Sequence, residues 1–367
     1  MKRFKALDVF RGLTICLMII VNSAGDWDLT FAPLLHAKWH GFTPTDLVFP
    51  SFLFAVGNAF AFVKTRWADK SLSEVFRKII KRTLVIFLLG YIMYWFPFVS
   101  WTDSGELAMV PFSETRILGV LQRIAICYFI GATMIYFLTN RQLIIASAII
   151  LLGYWGLLSA FGDYTLEGNL VRTLDRLLLG DGHLYGGDGL PFDPEGLLST
   201  LPAICNVLAG YLVGQFVIHG GITYEKLAKM LMVAVGLLAV AYFWNFSFPF
   251  NKKLWTSSFV ILTIGLDIML LSILIYAIEF IKKPINFNFF EIFGKNSLFI
   301  YLLSEYLAIT LLFVRVDGNQ SLYNYIYEKG FSWLGPYYGS FAFAFVFMFI
   351  CWLVGLWLDK RKIYIKV

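Results

Sequence analysis

Charge is what this sequence has least of. Asp, Glu, Lys and Arg make up 15% of its 367 residues, against about 25% in ordinary soluble domains, while 59% are hydrophobic and the mean hydropathy is +0.72. Too few polar groups remain to cover a globular surface, which excludes a water-soluble fold and makes lipid the solvent. Cysteine is scarce as well. Cys16, Cys127, Cys205 and Cys351 stand far apart inside apolar runs, which excludes a disulfide framework or a cysteine metal site and reads as small buried hydrophobes. Short segments of period-two alternation are missing, so a transmembrane β-barrel is excluded. No linker or low-complexity tract divides the chain, and no internal repeat argues for an inverted-repeat transporter. The net charge of +6 needs no nucleic-acid partner, because the sidedness of the basic residues accounts for it.

What is present is a series of long apolar runs. Ten of them approach the roughly 20 residues that a bilayer core demands: 7–25, 46–63, 83–99, 116–138, 142–161, 197–217, 227–245, 256–280, 291–314 and 337–358. The expected fold class is all-α, a polytopic membrane protein of about ten transmembrane helices forming one domain over 1–367, since backbone in lipid must satisfy its own hydrogen bonds. Basic residues concentrate on one side, with Lys64, Arg66, Lys70, Arg77, Lys78, Lys81 and Arg82 in a single connector. This bias places both termini in the cytoplasm and the segment around 34–45 outside. Asp8 and Arg11 interrupt the first run and no small-x-small site precedes "DWD", so a retained span is expected there, not a cleaved signal peptide. The longest outer loop, 162–196, contains "NLVRTLDRLLLG", which predicts a short amphipathic surface helix followed by glycine-rich turns.

Polar side chains inside the spans are the functional clues, because lipid penalises each one that lacks a partner or a wet cavity. Asp8 and Arg11 are three apart on one helix face, and Asn22 lies roughly 20 Å further along, at the outer end. Asp46 opens the second span, where a capping role and a role in a site are both open. Gln122 and Arg123, Asp267 and Glu305 stand at similar depth and predict a polar cavity in the outer half of the bundle; Asn58, Asn206 and Asn296 are single amides, which also serve as glue between helices. The connector "LLHAKWHGFTPTDLVFP" at 34–50 holds two of the four histidines, His36 and His40. Their spacing invites a metal reading, but no third ligand has suitable spacing and HExxH is absent, so no metal is expected. General-base or nucleophilic work suits an imidazole that titrates near neutral pH.

The stretches "RFKALDVFRGLTICLMIIVNSAG" and "HAKWHGFTPTDLVFPSFLFAVG" resemble the heparan-α-glucosaminide N-acetyltransferase family, and the likeness continues through "RILGVLQRIAICYF", "NKKLWTSSFV" and "GKNSLFIYLLSEYL". The resemblance implies a minimal bacterial form in the cytoplasmic (inner) membrane, moving acetyl from cytoplasmic acetyl-CoA to the amine of a glucosamine-type sugar on the outer side. It implies central roles for His36, as base or acetyl carrier, and for Asn22; Asp46 is expected to orient His36 or to hold the amino sugar. The nucleotide is then expected at the inner face, with Arg11, Lys81, Arg82, Lys295 and Asn296 as phosphate partners and Arg123 nearer the thioester. Trp39, His40, Trp255, Asp267 and Glu305 are the candidates for holding the acceptor. Related enzymes imply a homodimer in contact with lipid. Two alternatives stay open at this point, a transporter of N-acetylglucosamine or a related sugar and an acyltransferase acting on a hydroxyl.

Overall fold

The computed structural model describes residues 4–67, 69–102, 104–281, 286–316 and 320–365. The basic residues of the extreme termini, which contribute to the orientation argument, lie outside these. Among the described residues every predicted run finds a helix. The helices are α1 (Lys5–Asn22), α2 (Val48–Lys64), α3 (Leu72–Trp95), α4 (Val120–Phe137), α5 (Asn140–Phe161), α6 (Leu170–Leu179) and α7 (Leu197–Ile218). They continue with α8 (Tyr224–Asn245), α9 (Ser257–Ile275), α10 (Asn288–Lys295), α11 (Ser297–Phe313), α12 (Leu322–Gly330) and α13 (Pro336–Lys360). Two small antiparallel hairpins, Val99–Trp101 with Leu107–Met109 and Arg315–Val316 with Gln320–Ser321, are the strands found there. The chain is thus an all-α polytopic membrane protein.

Seven helices among the described residues are individually long and apolar enough to cross a bilayer. The expected ten differ from this for physical reasons. α1 carries Lys5, Asp8 and Arg11 in its first two turns. α3 begins within the predicted basic loop, because Ser71 and Glu74 form a capping box with both bonds at 3.3 Å, and so includes Arg77, Lys78, Lys81 and Arg82. The run 291–314 is no straight span: α10 and α11 meet at Asn296 with a bend of 85°. α10 lies against α1 instead, where a Cβ on Gly12 would stand 1.7 Å from the Phe290 carbonyl oxygen.

α2 packs along α7 at the centre of the bundle, with α1, α4 and α9 around them. That contact is a close backbone approach, since Cβ atoms on Gly57 and Gly210 would reach the Val207 and Phe54 carbonyl oxygens at 1.9 and 2.0 Å. Small residues permit such packing, which replaces the hydrophobic drive that lipid cannot supply between helices. α5 and α8 have few buried residues, and they are also the spans poorest in polar groups, as lipid-facing helices should be. The predicted surface helix in 162–196 is α6, capped by Asn169, whose side chain accepts from Arg172 N at 2.8 Å. The N-terminal Phe4 and the C-terminal Tyr364 and Ile365 line one cavity, so both ends of the described chain meet at the same face.

Candidate active site

The connector between α1 and α2 is shaped from within. Asp46 sits in a 3₁₀ turn, Pro44–Leu47, and its carboxylate accepts from Thr43 N at 3.0 Å and Ala37 N at 3.2 Å, with Thr43 Oγ1 3.1 Å away. Thr45 Oγ1 donates to Pro33 O at 3.0 Å and Thr43 Oγ1 to Leu35 O at 2.7 Å. These bonds draw the segment over the start of α2 and bring His36 to Asp46, with Nδ1 to Oδ1 at 2.7 Å. A carboxylate only accepts, so Nδ1 carries the proton and Nε2 keeps a free lone pair. Asp46 therefore closes the capping box of its 3₁₀ turn with Thr43 and orients the imidazole at once.

A second loop, 246–256, closes against the first. Gly41 N donates to Phe250 O at 2.8 Å, from a backbone at φ 119° that glycine alone adopts at ease. His40 Nδ1 lies 3.4 Å from Asn251 Nδ2, and Asn251 Oδ1 accepts from Leu254 N at 2.8 Å. Trp255 is held at φ 52°, a left-handed conformation unfavourable for a bulky side chain. The product of this docking is Lys252, whose Nζ is 3.0 Å from both ring nitrogens of His36 and 4.0 Å from Asp46 Oδ1. An equidistant position in the ring plane would collide with Cε1, so the ammonium lies over the ring face.

His36, Asp46, Asn22, Lys252, Glu195 and Tyr301 line a cavity of about 520 Å³ at the end of the bundle predicted to face outward (the outer cavity, its counterpart at the other end being the inner one). The His36 side chain keeps 43% of its exposure there while Asp46 keeps none. Burial first, and the Lys252 ammonium second, lower the His36 pKa below its ordinary 6.5; the Asp46 hydrogen bond and the charges of Asp46 and Glu195 oppose them. Arg116 forms the rim, donating to Asp193 at 2.9 and 2.7 Å and to Glu195 at 2.6 Å between the rings of Tyr94 and Tyr185. Asn22 Nδ2 donates to Glu305 Oε1 at 3.2 Å, which leaves its second N–H for a ligand.

A second cavity, of about 570 Å³, lies at the other end, lined by Arg11, Arg66, Arg82, Lys295, Asn58 and Tyr364 among others. Along α1 the two cavities are bounded by Met18 and Arg11, about 10 Å apart, and along α11 by Tyr301 and Leu298, about 4.5 Å apart. Arg11 is paired with Asp8, and Lys295 Nζ meets Asp359 at 2.8 and 3.0 Å. Asn296 instead ties down the C-terminal tail, donating to Ile363 O at 3.0 Å and accepting from Ile365 N at 2.8 Å.

Of the residues singled out from the sequence, His36, Asn22 and Asp46 share the outer cavity, while Arg11, Arg82 and Lys295 share the inner one. Lys81 does not line it. The expected common cavity for Arg123, Asp267 and Glu305 is not formed. Arg123 is fully buried, donates to Ser199 Oγ and to Gly196 O at 3.3 Å, and lies 4.8 Å over the Trp255 ring. Trp255 is itself fully buried and donates to Asn206 at 3.2 Å, so it offers no face to a sugar. Asp267 is enclosed and accepts from Ser51, and Trp39 donates to Tyr164 O at 2.7 Å, beside Phe192 and outside the cavity. Depth along a helix fixes height only, and the rotation of each helix turned these groups elsewhere. Lys252, Arg116 and Glu195 were missed. One signal was available for Lys252: two consecutive lysines in an outer connector run against the positive-inside trend.

A sequence model of the catalytic region of heparan-alpha-glucosaminide N-acetyltransferases matches residues 3–242. The chain belongs to the heparan-alpha-glucosaminide N-acetyltransferase family. It is similar to the protein of that name from Mus musculus, 26% identical over 366 residues, covering 83% of this chain and 54% of the mouse protein. The protein from Homo sapiens is 27% identical over 361 residues, 82% of this chain and 52% of the relative. The chain thus spans about half the length of these relatives. The family match covers both the His36 loop and the α4–α7 wall with Arg116 and Glu195; Lys252 and Tyr301 lie beyond it.

Proposed function

We propose that this chain is a transmembrane N-acetyltransferase that moves acetyl from acetyl-CoA, held at the inner cavity, to the amine of a glucosamine-type sugar in the outer one. The observation that carries the reading is the His36–Asp46 pair in a cavity that Asn22 also lines, with a second, cationic cavity within about two helical turns of it. Family membership supports the acetyltransferase reading over a transporter. Arg11, Arg66, Arg82 and Lys295 are the donor set that fits the phosphates of a nucleotide, and the bias of basic residues toward this end supports a cytoplasmic side for that cavity in a bacterial inner membrane.

Acetyl-CoA supplies the thioester. His36 Nε2 accepts the proton of the acceptor amine as its nitrogen forms a bond to the acetyl carbon, and Asp46 holds the imidazole in the tautomer that can do so. Asn22 turns its free N–H toward the carbonyl oxygen as negative charge develops there. The carbon–sulfur bond breaks, and His36 hands its proton to the departing sulfur, which leaves as a thiol.

The test is purified protein in detergent with acetyl-labelled acetyl-CoA and glucosamine. Labelled N-acetylglucosamine supports the reading; no transfer, with sugar uptake by vesicles bearing the protein, removes it. A base works only unprotonated, so kcat/KM falls as pH drops through the lowered His36 pKa. With rates expressed per unprotonated amine, so that ionisation of the sugar itself drops out, the acid limb of the profile lies below pH 6.5, and a limb at or above that value would contradict the environment described. Arg82→Gln removes one inner cation and raises KM for acetyl-CoA about tenfold, with kcat little changed, as loss of a uniform binding contact does. An unchanged KM takes Arg82 out of the nucleotide site.

A further inference from the structure

We propose that Lys252 is a positioning residue for the base: its ammonium, laid over the His36 ring, keeps that imidazole unprotonated at rest and hastens return of the proton to the leaving sulfur. This deepens the reading of His36 as base and rests on it. The placement is built, not incidental. Lys252 sits in a loop fixed by the Gly41–Phe250 and Asn251–Leu254 hydrogen bonds, Trp255 N donates to Lys252 O at 3.1 Å, and its side chain is only 18% exposed.

The charges around the pair follow from three elements. Asp46 faces His36 from the turn before α2, Glu195 from the segment before α7, and Lys252 from the α8–α9 loop. Burial lowers the Lys252 pKa, the charges of Asp46 and Glu195 favour its ammonium form, and Lys253 and Arg123 oppose them; Lys253 is paired with Asp188 and Arg123 hydrogen-bonds to Ser199 and Gly196. Asp46 alone would draw a proton onto the ring and leave a histidine that is already charged when the amine arrives. A cation 3.0 Å from both ring nitrogens opposes this. It makes the imidazolium formed in the reaction a stronger acid, so the proton taken from nitrogen passes readily to sulfur. No bond forms to Lys252, and the proton balance is that of the acetyl transfer.

Two readouts separate this from the parent reading. Diethyl pyrocarbonate modifies neutral imidazole, so the pH midpoint of His36 carbethoxylation, followed by mass spectrometry of its peptide in the full-length protein, reports its ionisation without any acetyl transfer. His183 and His219, elsewhere in the chain, serve as references within the same digest. In Lys252→Gln the His36 midpoint rises by about one pH unit, a roughly tenfold change in proton affinity, while Lys252→Arg keeps the wild-type midpoint. The acid limb of kcat/KM moves with it. A His36 midpoint unchanged in folded Lys252→Gln, or raised equally in Lys252→Arg, overturns the proposal. A raised midpoint with an unmoved acid limb upholds the effect of Lys252 on His36 but overturns its part in proton return, and it counts against His36 as the base. Should the glutamine variant not fold, Lys252→Met supplies the same comparison.

Discussion

His36→Ala lowers kcat for acetyl transfer by about 10²–10⁴-fold, the range that a positioned general base contributes, and leaves the thermal unfolding temperature nearly unchanged. The two halves of this result come from different contacts. Nε2 of His36 is the unprotonated ring nitrogen in the cavity that Asn22 also lines, so nothing replaces it as proton acceptor. Stability is spared because the side chain is 43% exposed and Asp46 keeps its bonds from Ala37 N and Thr43 N. Paired measurements of initial rate and of unfolding in the same detergent check both. If the alanine variant stayed within tenfold of wild type while folded, His36 would not be the base.

Gly210→Val has the largest effect on folding. A Cβ at 210 would stand 2.0 Å from the Phe54 carbonyl oxygen and 3.1 Å from Asn58 N, and backbone cannot yield as a side chain does. α2 must then move off α7 along the central contact of the bundle. We expect a loss of about 3 kcal/mol or more, in keeping with severe overpacking, read as a lower unfolding temperature and less monodisperse protein. The Asp46 carboxylate, at the head of the same span, moves with α2, so the surviving protein is also less active. Gly153→Ala is the control, because nothing lies within 4 Å of a Cβ there; an equal loss at both positions would show that the close approach of α2 and α7 is not the cause.

Legibility differed by element. The histidine connector could be read because His36, Asp46 and the threonines that shape it lie within one short stretch, where local hydrogen bonds decide the geometry. Asn22 could be placed because the end of a span is a height, and hydropathy reports height. The 85° bend at Asn296 was hidden inside a continuous apolar run, since α10 trades a lipid contact for the Gly12 face of α1 and both environments favour the same residues. Lys252 and Arg116 entered the sequence reading only as outer charges. Their value arises from partners far away in the chain: His36 for one, Asp193 and Glu195 for the other.

The sequence by itself determined the solvent, the all-α class, the approximate places of the apolar runs and the closeness of His36 and Asp46 along the chain, because composition and short-range spacing decide those. Tertiary structure alone decided which polar side chains share a cavity. It sent Arg123 onto Trp255 and Asp267 onto Ser51, and it brought Lys252 over the imidazole. The physical reason is that lipid constrains how deep a residue lies but is indifferent to which way around its helix it faces. That direction is set by contacts such as those of Gly57 with α7 and Gly12 with α10, which join residues far apart in the chain.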